Sequence, residues 1–235
     1  FDLDPEDGTA RQALENIAGI EDRWADFAAL YENAVGKDLP SSLMQELLTK
    51  LAGVYDSQLG DSEKAVAAYQ RAAEIDPEDR SSLQALETLY QRSENWSELL
   101  EVYRRKVSLE GDPEQRQHLR FQIAYLQEEM LQQHVDAIST YNEILADDDT
   151  NLKAIVALDR LHLGQENWEE LAEILDRQLA VSGDAGEQIR LSLRLGDVRL
   201  SKLSQPGLAV EIYSRVLDID AHNADAIAAL ETLLE

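Results

Sequence analysis

Apolar residues recur along the chain every three or four positions, which places them on one face of an α-helix. Leu119, Ile123, Leu126 and Met130 show this spacing over three helical turns. Residues that favour turns interrupt the pattern at short intervals, so neighbouring helices are expected to run antiparallel as hairpins. The helices predicted in the middle of the chain are about 80–93, 96–109, 113–131 and 135–146.

Capping residues predict where these helices begin and end. Asp112 and Pro113 are typical of a helix start, and Gln115 completes a partial capping box. Gly111 is expected to end the preceding helix, because glycine tolerates the left-handed conformation common there.

The pattern repeats with a period of 72 residues, as the three tryptophans Trp24, Trp96 and Trp168 show. We call residues 72 apart equivalent positions. Other equivalent sets are Tyr69, Tyr141 and Tyr213, and Ala13, Ala85, Ala157 and Ala229. We therefore expect one repeat domain over residues 1–235, with units at about 9–80, 81–152 and 153–224 and a partial unit at 225–235.

Both ends of the chain fall inside this period. Phe1–Leu3 are expected to be the tail of a helix, and Glu235 to lie near the end of a helix whose partner is missing. The chain is therefore expected to be a piece of a longer array that could stack end to end. The apolar residues expected to be half covered are Leu230, Leu233 and Leu234.

One hairpin in each unit carries a family motif. Leu51–Tyr55 (LAGVY), followed by Ala65, Tyr69, Ala72 and Pro77, resembles the tetratricopeptide repeat. The resemblance implies an all-α fold, a right-handed α-solenoid of antiparallel helical hairpins that forms a superhelix. It also implies a non-catalytic protein-interaction scaffold.

Two features of the hairpins bear on packing. Ala52, Ala124 and Gly196 supply the small residue of the motif, which lets the two helices of a hairpin approach closely. In the other type of hairpin Glu87 and Asp159 take that place and a tryptophan begins the second helix, so these hairpins resemble divergent family members. The tryptophans are expected to pack between hairpins rather than to form a ligand cage.

Charge narrows the choice of partners. The 235 residues include 47 acidic and 21 basic side chains, a formal net charge of −26. Such a surface repels phosphate, so we predict no nucleic-acid partner and no binding to anionic membranes.

The absence of cysteine excludes disulfides and thiolate chemistry. The sequence contains no signal pattern and no apolar run long enough to cross a bilayer, so a cytoplasmic location is the default expectation.

Motifs for catalysis, metals or cofactors are absent from the sequence. The four histidines, His118, His134, His162 and His222, lack zinc-site spacing and are expected to lie on the surface. Asp147–Asp149 lack the pattern of a calcium loop and are expected to cap a helix. We therefore predict no metal, no cofactor and no enzyme, with a hydrolytic helical toroid as a remote alternative.

The remaining prediction concerns a groove, which in the tetratricopeptide family is lined by the first helix of each hairpin. Equivalent positions that stay apolar, such as Leu51, Ile123 and Leu195, are assigned to the core, and positions that vary are free to bind a partner. The candidate groove residues are His118, Phe121, Gln122, Tyr125, Lys153, Arg160, Arg190 and Arg194.

Arg190 and Arg194 are one helical turn apart and partly resemble the clamp by which some tetratricopeptide domains hold a peptide carboxylate. The alternative is that they balance nearby acids such as Glu187 and Asp197. Reversing both arginine charges is expected to weaken partner binding without lowering thermal stability.

These observations favour a scaffold whose groove binds a peptide or helix of a partner protein. The partner is expected to be basic overall, with an acidic or aromatic segment at the groove. The alternative is a structural array that associates with itself end to end.

Overall fold

A computed structural model describes residues 5–234, and over this range the chain forms thirteen α-helices and no strand. The predicted all-α hairpin architecture and the four helices predicted in the middle unit are confirmed. The predictions for Phe1–Leu3 and Glu235 lie outside the described residues. The helices are α1 (Gly8–Glu21), α2 (Trp24–Val35), α3 (Ser41–Val54), α4 (Ser62–Ile75), α5 (Arg80–Arg92), α6 (Trp96–Leu109), α7 (Pro113–Tyr125), α8 (His134–Asp147), α9 (Leu152–Gly164), α10 (Trp168–Val181), α11 (Ala185–Asp197), α12 (Pro206–Ile219) and α13 (Ala224–Leu234).

Three of these helices continue into a turn of π-helix. The turns are Tyr55–Leu59 after α3, Leu126–Met130 after α7 and Val198–Lys202 after α11. The backbone N–H of Leu131 closes the second turn on the carbonyl of Leu126 at 2.9 Å. The predicted helix 113–131 is therefore an α-helix followed by a wider turn.

The chain divides into two compact units between Leu119 and Arg120. In the first unit α1 to α6 each pack against the next helix, around a core that includes Phe27, Leu48 and Ala52. In the second unit α8 to α13 do the same, around clusters that include Leu158 and Leu175. Each unit thus buries its own apolar residues.

Side-chain caps recur with the 72-residue period. The N-caps of α1, α5 and α9 are Asp7, Asp79 and Asn151, which accept hydrogen bonds from backbone N–H groups in the first turn. Asp112 accepts a hydrogen bond from the N–H of Glu114 at 2.9 Å, as predicted for a helix start. These short polar side chains satisfy donors that the helix itself leaves free.

Two capping predictions are wrong. Gly111 does not end α6, because the helix stops at Leu109 and Glu110 is the C-cap in an extended conformation. The cap of α9 is Asn151 rather than the acidic cluster before it. Asp148 instead accepts from the N–H of Thr150 and stabilises the turn between α8 and α9.

Left-handed backbone conformations also follow the period. The described residues with positive φ fall into two sets of equivalent positions, with φ between 52° and 65°. Only one of them is glycine, so the turns impose this conformation on side chains that disfavour it. The sets are Asp22, Glu94 and Glu166, and Gly60, Gln132 and Ser204.

The predicted close approach of hairpin helices is confirmed. A Cβ atom added to Gly196 would lie 2.6 Å from Cε1 of Tyr213, which is buried. The equivalent Ala52 and Ala124 are fully buried. None of the described helices combines the length and the apolar character needed to span a membrane.

Candidate functional site

The predicted groove residues fall in both units and differ in exposure. His118 is exposed in the first unit, and it lines a cavity of about 240 Å³ with Arg80 and Lys106. The other seven residues lie in the second unit. Tyr125, Lys153 and Arg190 are exposed there, whereas Phe121 and Gln122 are half-buried.

Phe121 and Tyr125 lie one turn apart on α7 but have different surroundings. The ring of Phe121 packs 6.2 Å from that of Tyr141, at the edge of a buried cluster. Tyr125 is 52% exposed. Tyr125 is therefore the aromatic residue of this helix that a partner could reach.

Arg160 is held by carboxylates at the π turn after α7. Its guanidinium lies 2.6 Å from Oε1 of Glu128 and 3.6 Å from Oε1 of Glu129. Glu128 is buried, and its other oxygen accepts a hydrogen bond from the hydroxyl of Tyr141 at 3.3 Å. Burial and then the charge of Glu128 raise the pKa of Tyr141 to about 12. Arg160 therefore compensates a buried charge.

Arg194 is tied to the hairpin before its own. Its two terminal nitrogens lie 2.6 Å from the two carboxylate oxygens of Asp159, which also accepts from Gln178 at 3.1 Å. Arg190 pairs with Glu187 at 2.5 Å within α11. The interpretation that nearby acids balance these arginines is thus supported, although Arg194 pairs with Asp159 and not with Asp197.

The Arg194 pair recurs elsewhere in the array. Lys50 and Glu15 lie 144 residues, or two periods, before Arg194 and Asp159, and they also form a salt bridge. Each pair joins the first helix of one hairpin to the first helix of the next, α1 to α3 and α9 to α11. This recurrence favours a structural role for Arg194.

A larger concave site, which was not predicted, lies in the first unit. A cavity of about 710 Å³ is bounded by α1, α3 and the start of α5, which are first helices of successive hairpins. Arg11 pairs with Glu46 at 3.0 Å, and Lys50 pairs with Glu15, so two salt bridges cross the cavity wall. The polar residues that line it include Gln12, Gln45, Thr49, Ser57, Gln58 and Ser81.

Sequence reasoning missed this cavity because, among the positions that vary between copies, it selected aromatic and basic residues of the later copies, such as Phe121, and passed over the equivalent Thr49. The signal that could have found it is the glutamine and hydroxyl content of α1 and α3. Trp24 and Tyr31 add aromatic surface to the lining. Trp24 also packs against the core beside Phe27, at 5.8 Å between ring centroids, in agreement with the predicted packing role.

The histidine prediction is only partly confirmed. His118 and His222 are exposed, and His134 is half-buried. His162 is buried, because α8 and α10 pack around the end of α9. Among the described residues no group of three or more His, Asp or Glu is arranged to hold a metal ion.

The hairpins match known repeats. Family models of the tetratricopeptide repeat match residues 45–79, 82–117 and 154–189. The first match covers the hairpin that carries the motif, and the other two cover the divergent hairpins that begin their second helix with tryptophan. No curated protein matches the chain.

Solved structures similar to this chain include a tetratricopeptide repeat protein from Parabacteroides merdae, with 15% identity and a TM-score of 0.41 over 97% of this chain and 100% of that one. YrrB, described as a TPR protein with an unusual peptide-binding site, shows 14% identity and a TM-score of 0.40 over 79% of this chain and 91% of that one. A chain of the Naa15/Naa10 complex bound to HypK-THB shows 18% identity and a TM-score of 0.46 over 95% of this chain and 38% of that one.

The matched segments, the hairpin architecture and the 72-residue period agree with one another. Each match begins two to four residues inside the first helix of a hairpin and runs past the end of the second; the hairpins are α3 with α4, α5 with α6, and α9 with α10. Residues 45–79, 82–117 and 154–189 of the chain are therefore tetratricopeptide repeats.

Proposed function

We propose that the chain is a non-catalytic interaction scaffold that binds an extended peptide of a partner protein in the 710 Å³ cavity of the first unit. The observation that carries this proposal is the lining of the cavity by the first helices of successive hairpins. A groove built on packed helices is preorganised, so the protein loses little conformational freedom when a peptide binds.

The chemistry of the lining suits a peptide backbone. The amides of Gln12, Gln45 and Gln58 each offer a donor and an acceptor, and Ser57 and Ser81 add hydroxyls. An extended peptide has unpaired N–H and C=O groups along its length that match such a surface. Because the net charge is −26, encounter is faster with a basic partner.

Selection from a library of displayed peptides tests this proposal. Gln12→Ala and Gln58→Ala should each weaken binding of a selected peptide by about tenfold, since each removes polar contacts. Arg104→Ala is the matched control, because Arg104 is exposed on α6 and, in the described part of the chain, forms its salt bridge with Glu101 of the same helix. Equal binding by all three variants would exclude the cavity as the site.

The predicted groove residues of the second unit are a second candidate surface for the same function. Tyr125 and Lys153 are exposed and offer an aromatic and a basic contact. Arg190→Glu is the cleaner charge reversal, because among the described residues the salt bridge of Arg190 is with Glu187 of the same helix, and Asp159 interacts with it only through its charge. Arg194→Glu would place a carboxylate against Asp159, so we now expect it to lower stability as well. If Arg190→Glu bound a peptide ligand as tightly as the unchanged chain does, this surface would be excluded as the binding site.

Self-association is the second candidate function, and one observation on α1 favours it. Ile20 is 85% exposed, and Ile17 is half exposed although the equivalent Leu89 and Leu161 are buried. At the other end Leu230 and Leu233 are half-buried, as predicted, and the side chain of Leu234 lies outside the described residues. Light scattering should then detect concentration-dependent oligomers that Ile17→Ser and Ile20→Ser abolish. A monomer at every concentration would exclude this candidate.

A further inference from the structure

A further cavity lies in the second unit, and none of the groove candidates lines it. It has a volume of about 330 Å³ and opens between α8, the end of α9 and α10. Val135, Ile138 and Ile174 form its apolar walls, and Asn142 and His162 contribute polar groups. The cavity is thus lined mainly by second helices of hairpins, whereas the grooves described above are lined by first helices.

His162 is a buried titratable group that the proposed scaffold function does not use. The residue is 5% exposed, and its Nδ1 atom is buried without a hydrogen-bond partner among the described residues. Burial lowers the pKa of His162, although Glu170, Asp159 and Glu173 oppose the shift. A buried polar side chain without a partner costs stability, and such cases call for an explanation.

The preceding copy of the repeat shows what this position can hold. The residue equivalent to His162 is Tyr90, which is buried, and its hydroxyl accepts a hydrogen bond from Nε2 of Gln70 at 2.7 Å. Gln70 is in turn equivalent to Asn142. In the second unit the ring is therefore smaller and the amide is one methylene shorter.

A cavity thus opens beside the position at which the other copy holds a phenol ring. Within the described part of the chain the Asn142 side chain makes no hydrogen bond and is exposed, so it is available to a ligand. The mouth of the cavity carries Glu170, Glu173 and Arg177, all exposed. Two carboxylates against one guanidinium favour a ligand with a positive charge beside its ring.

We propose that this cavity binds a phenol group flanked by a positive charge. The ring would lie between Val135, Ile138 and Ile174, and its hydroxyl would exchange hydrogen bonds with Asn142 and the imidazole of His162. The phenol has two possible sources, a tyrosine side chain in a basic peptide and a free hydroxyaryl amine. Both present the same ring, hydroxyl and cation.

Titration of ¹⁵N-labelled protein with tyramine, followed by NMR, tests the proposal. The Asn142 side-chain amide and the backbone amides of α8 and α10 should shift on binding. Phenethylamine, which lacks the hydroxyl, and 4-hydroxyphenylacetate, which reverses the charge, should each bind at least about tenfold more weakly. A Lys-Tyr-Lys peptide distinguishes the sources: tighter binding than tyramine assigns the site to a protein partner, and weaker binding assigns it to the free amine.

Two variants locate the site. The double variant His162→Tyr, Asn142→Gln restores the filled arrangement of Tyr90 and Gln70, so it should fold, melt at the same or a higher temperature and lose tyramine binding. Asn142→Ala, at an exposed position, should leave stability unchanged and abolish the preference for tyramine over phenethylamine. Two results would overturn the proposal: amide signals that do not shift at millimolar tyramine, or amide signals that still shift in the double variant.

Discussion

At the scale of single residues, the distance between the helices of a hairpin is determined by one small side chain. Gly196 faces the ring of Tyr213, while Ala52 and Ala124 occupy the equivalent positions in the other two copies. The hairpin of α11 and α12 therefore has room for no side chain at this point, whereas the equivalent hairpins accommodate a methyl group.

Gly196→Ala is expected to lower the free energy of unfolding by about 1–3 kcal/mol, because the added methyl would overlap the ring of the buried Tyr213. Urea unfolding provides the measurement. Gly207→Ala is the control, since a methyl group added at Gly207 would meet nothing within 4 Å and alanine favours a helix. If both substitutions stabilised the protein, the close approach would not limit this hairpin.

His162 predicts a dependence of stability on pH. Its pKa in the folded chain is lowered from 6.5, chiefly by burial, so the unfolded state binds a proton more readily than the folded state does. Stability is therefore lost as pH falls below about 6.5, and the loss stops growing below the folded pKa.

Unfolding free energies measured between about pH 7.5 and 5 should fall more steeply for the unchanged chain than for His162→Gln. The difference between the two curves gives the contribution of His162 to the pH dependence, separate from the contributions of the many carboxylates. Parallel curves would mean that the imidazole is already accessible to protons in the folded chain.

Whether the burial of a residue could be predicted depends on how far away in the sequence its contacts lie. Equivalent positions identified Leu51 and Leu195 as core because burial repeats with the period. The burial of His162 follows the same rule, since the equivalent Tyr90 is buried, but the burial of Glu128 could not be predicted because it depends on how helices from separate hairpins pack. Glu128 is paired with Arg160, 32 residues away, and no local pattern links the two.

At the scale of helices, the starts were predictable because capping is a local interaction. Asp79 is the most fully bonded of these caps: its carboxylate accepts from the backbone N–H and the hydroxyl of both Ser81 and Ser82. Burial opposes its ionisation, but the hydrogen bonds from Ser82 and Ser81 outweigh this and hold the pKa of Asp79 below its usual value.

Asp79→Ala is expected to lower the free energy of unfolding by about 1 kcal/mol at neutral pH, because two N–H groups of α5 lose their acceptor. A lowered carboxyl pKa contributes stability above the unfolded value, and this contribution disappears as the pH falls through the folded value. The deficit should therefore shrink in acid. Asp79→Asn, which keeps the cap, should lower the free energy of unfolding far less when both variants are compared by urea unfolding at pH 7.

The π turns could not be predicted, for a geometric reason. A single turn of wider helix shifts the register by one residue, which a tolerant apolar pattern does not reveal. The turn Tyr55–Leu59 contacts both α2 and α4, and Val198–Lys202 contacts both α10 and α12. The wider turn thus lets the end of one helix reach two neighbours.

At the scale of the whole molecule, the repeat predicted the sequence of hairpins but not the position of the open cavities. Within each unit, neighbouring helices bury their apolar residues against one another, so stability is expected to be distributed locally. The 330 Å³ cavity is lined by two side chains, His162 and Asn142, that differ from their equivalents Tyr90 and Gln70.

Leu175→Ala tests local stability, because Leu175 is fully buried in the second unit. The cavity it leaves should cost about 2–5 kcal/mol. Hydrogen exchange read by mass spectrometry should become faster in α10, α11 and α12, while α3 and α4 of the first unit keep their rates. Equal acceleration in every helix would show that the chain unfolds as one cooperative body.

The left-handed turn residues have a consequence for the history of the gene. They form two sets, Asp22 to Glu166 and Gly60 to Ser204, and within each set the residues are separated by whole periods. A crossover between two copies of the coding sequence, at equivalent codons, would add or remove a complete unit while leaving every such turn in place. A single crossover can therefore change the number of units without creating a turn that the fold does not already contain.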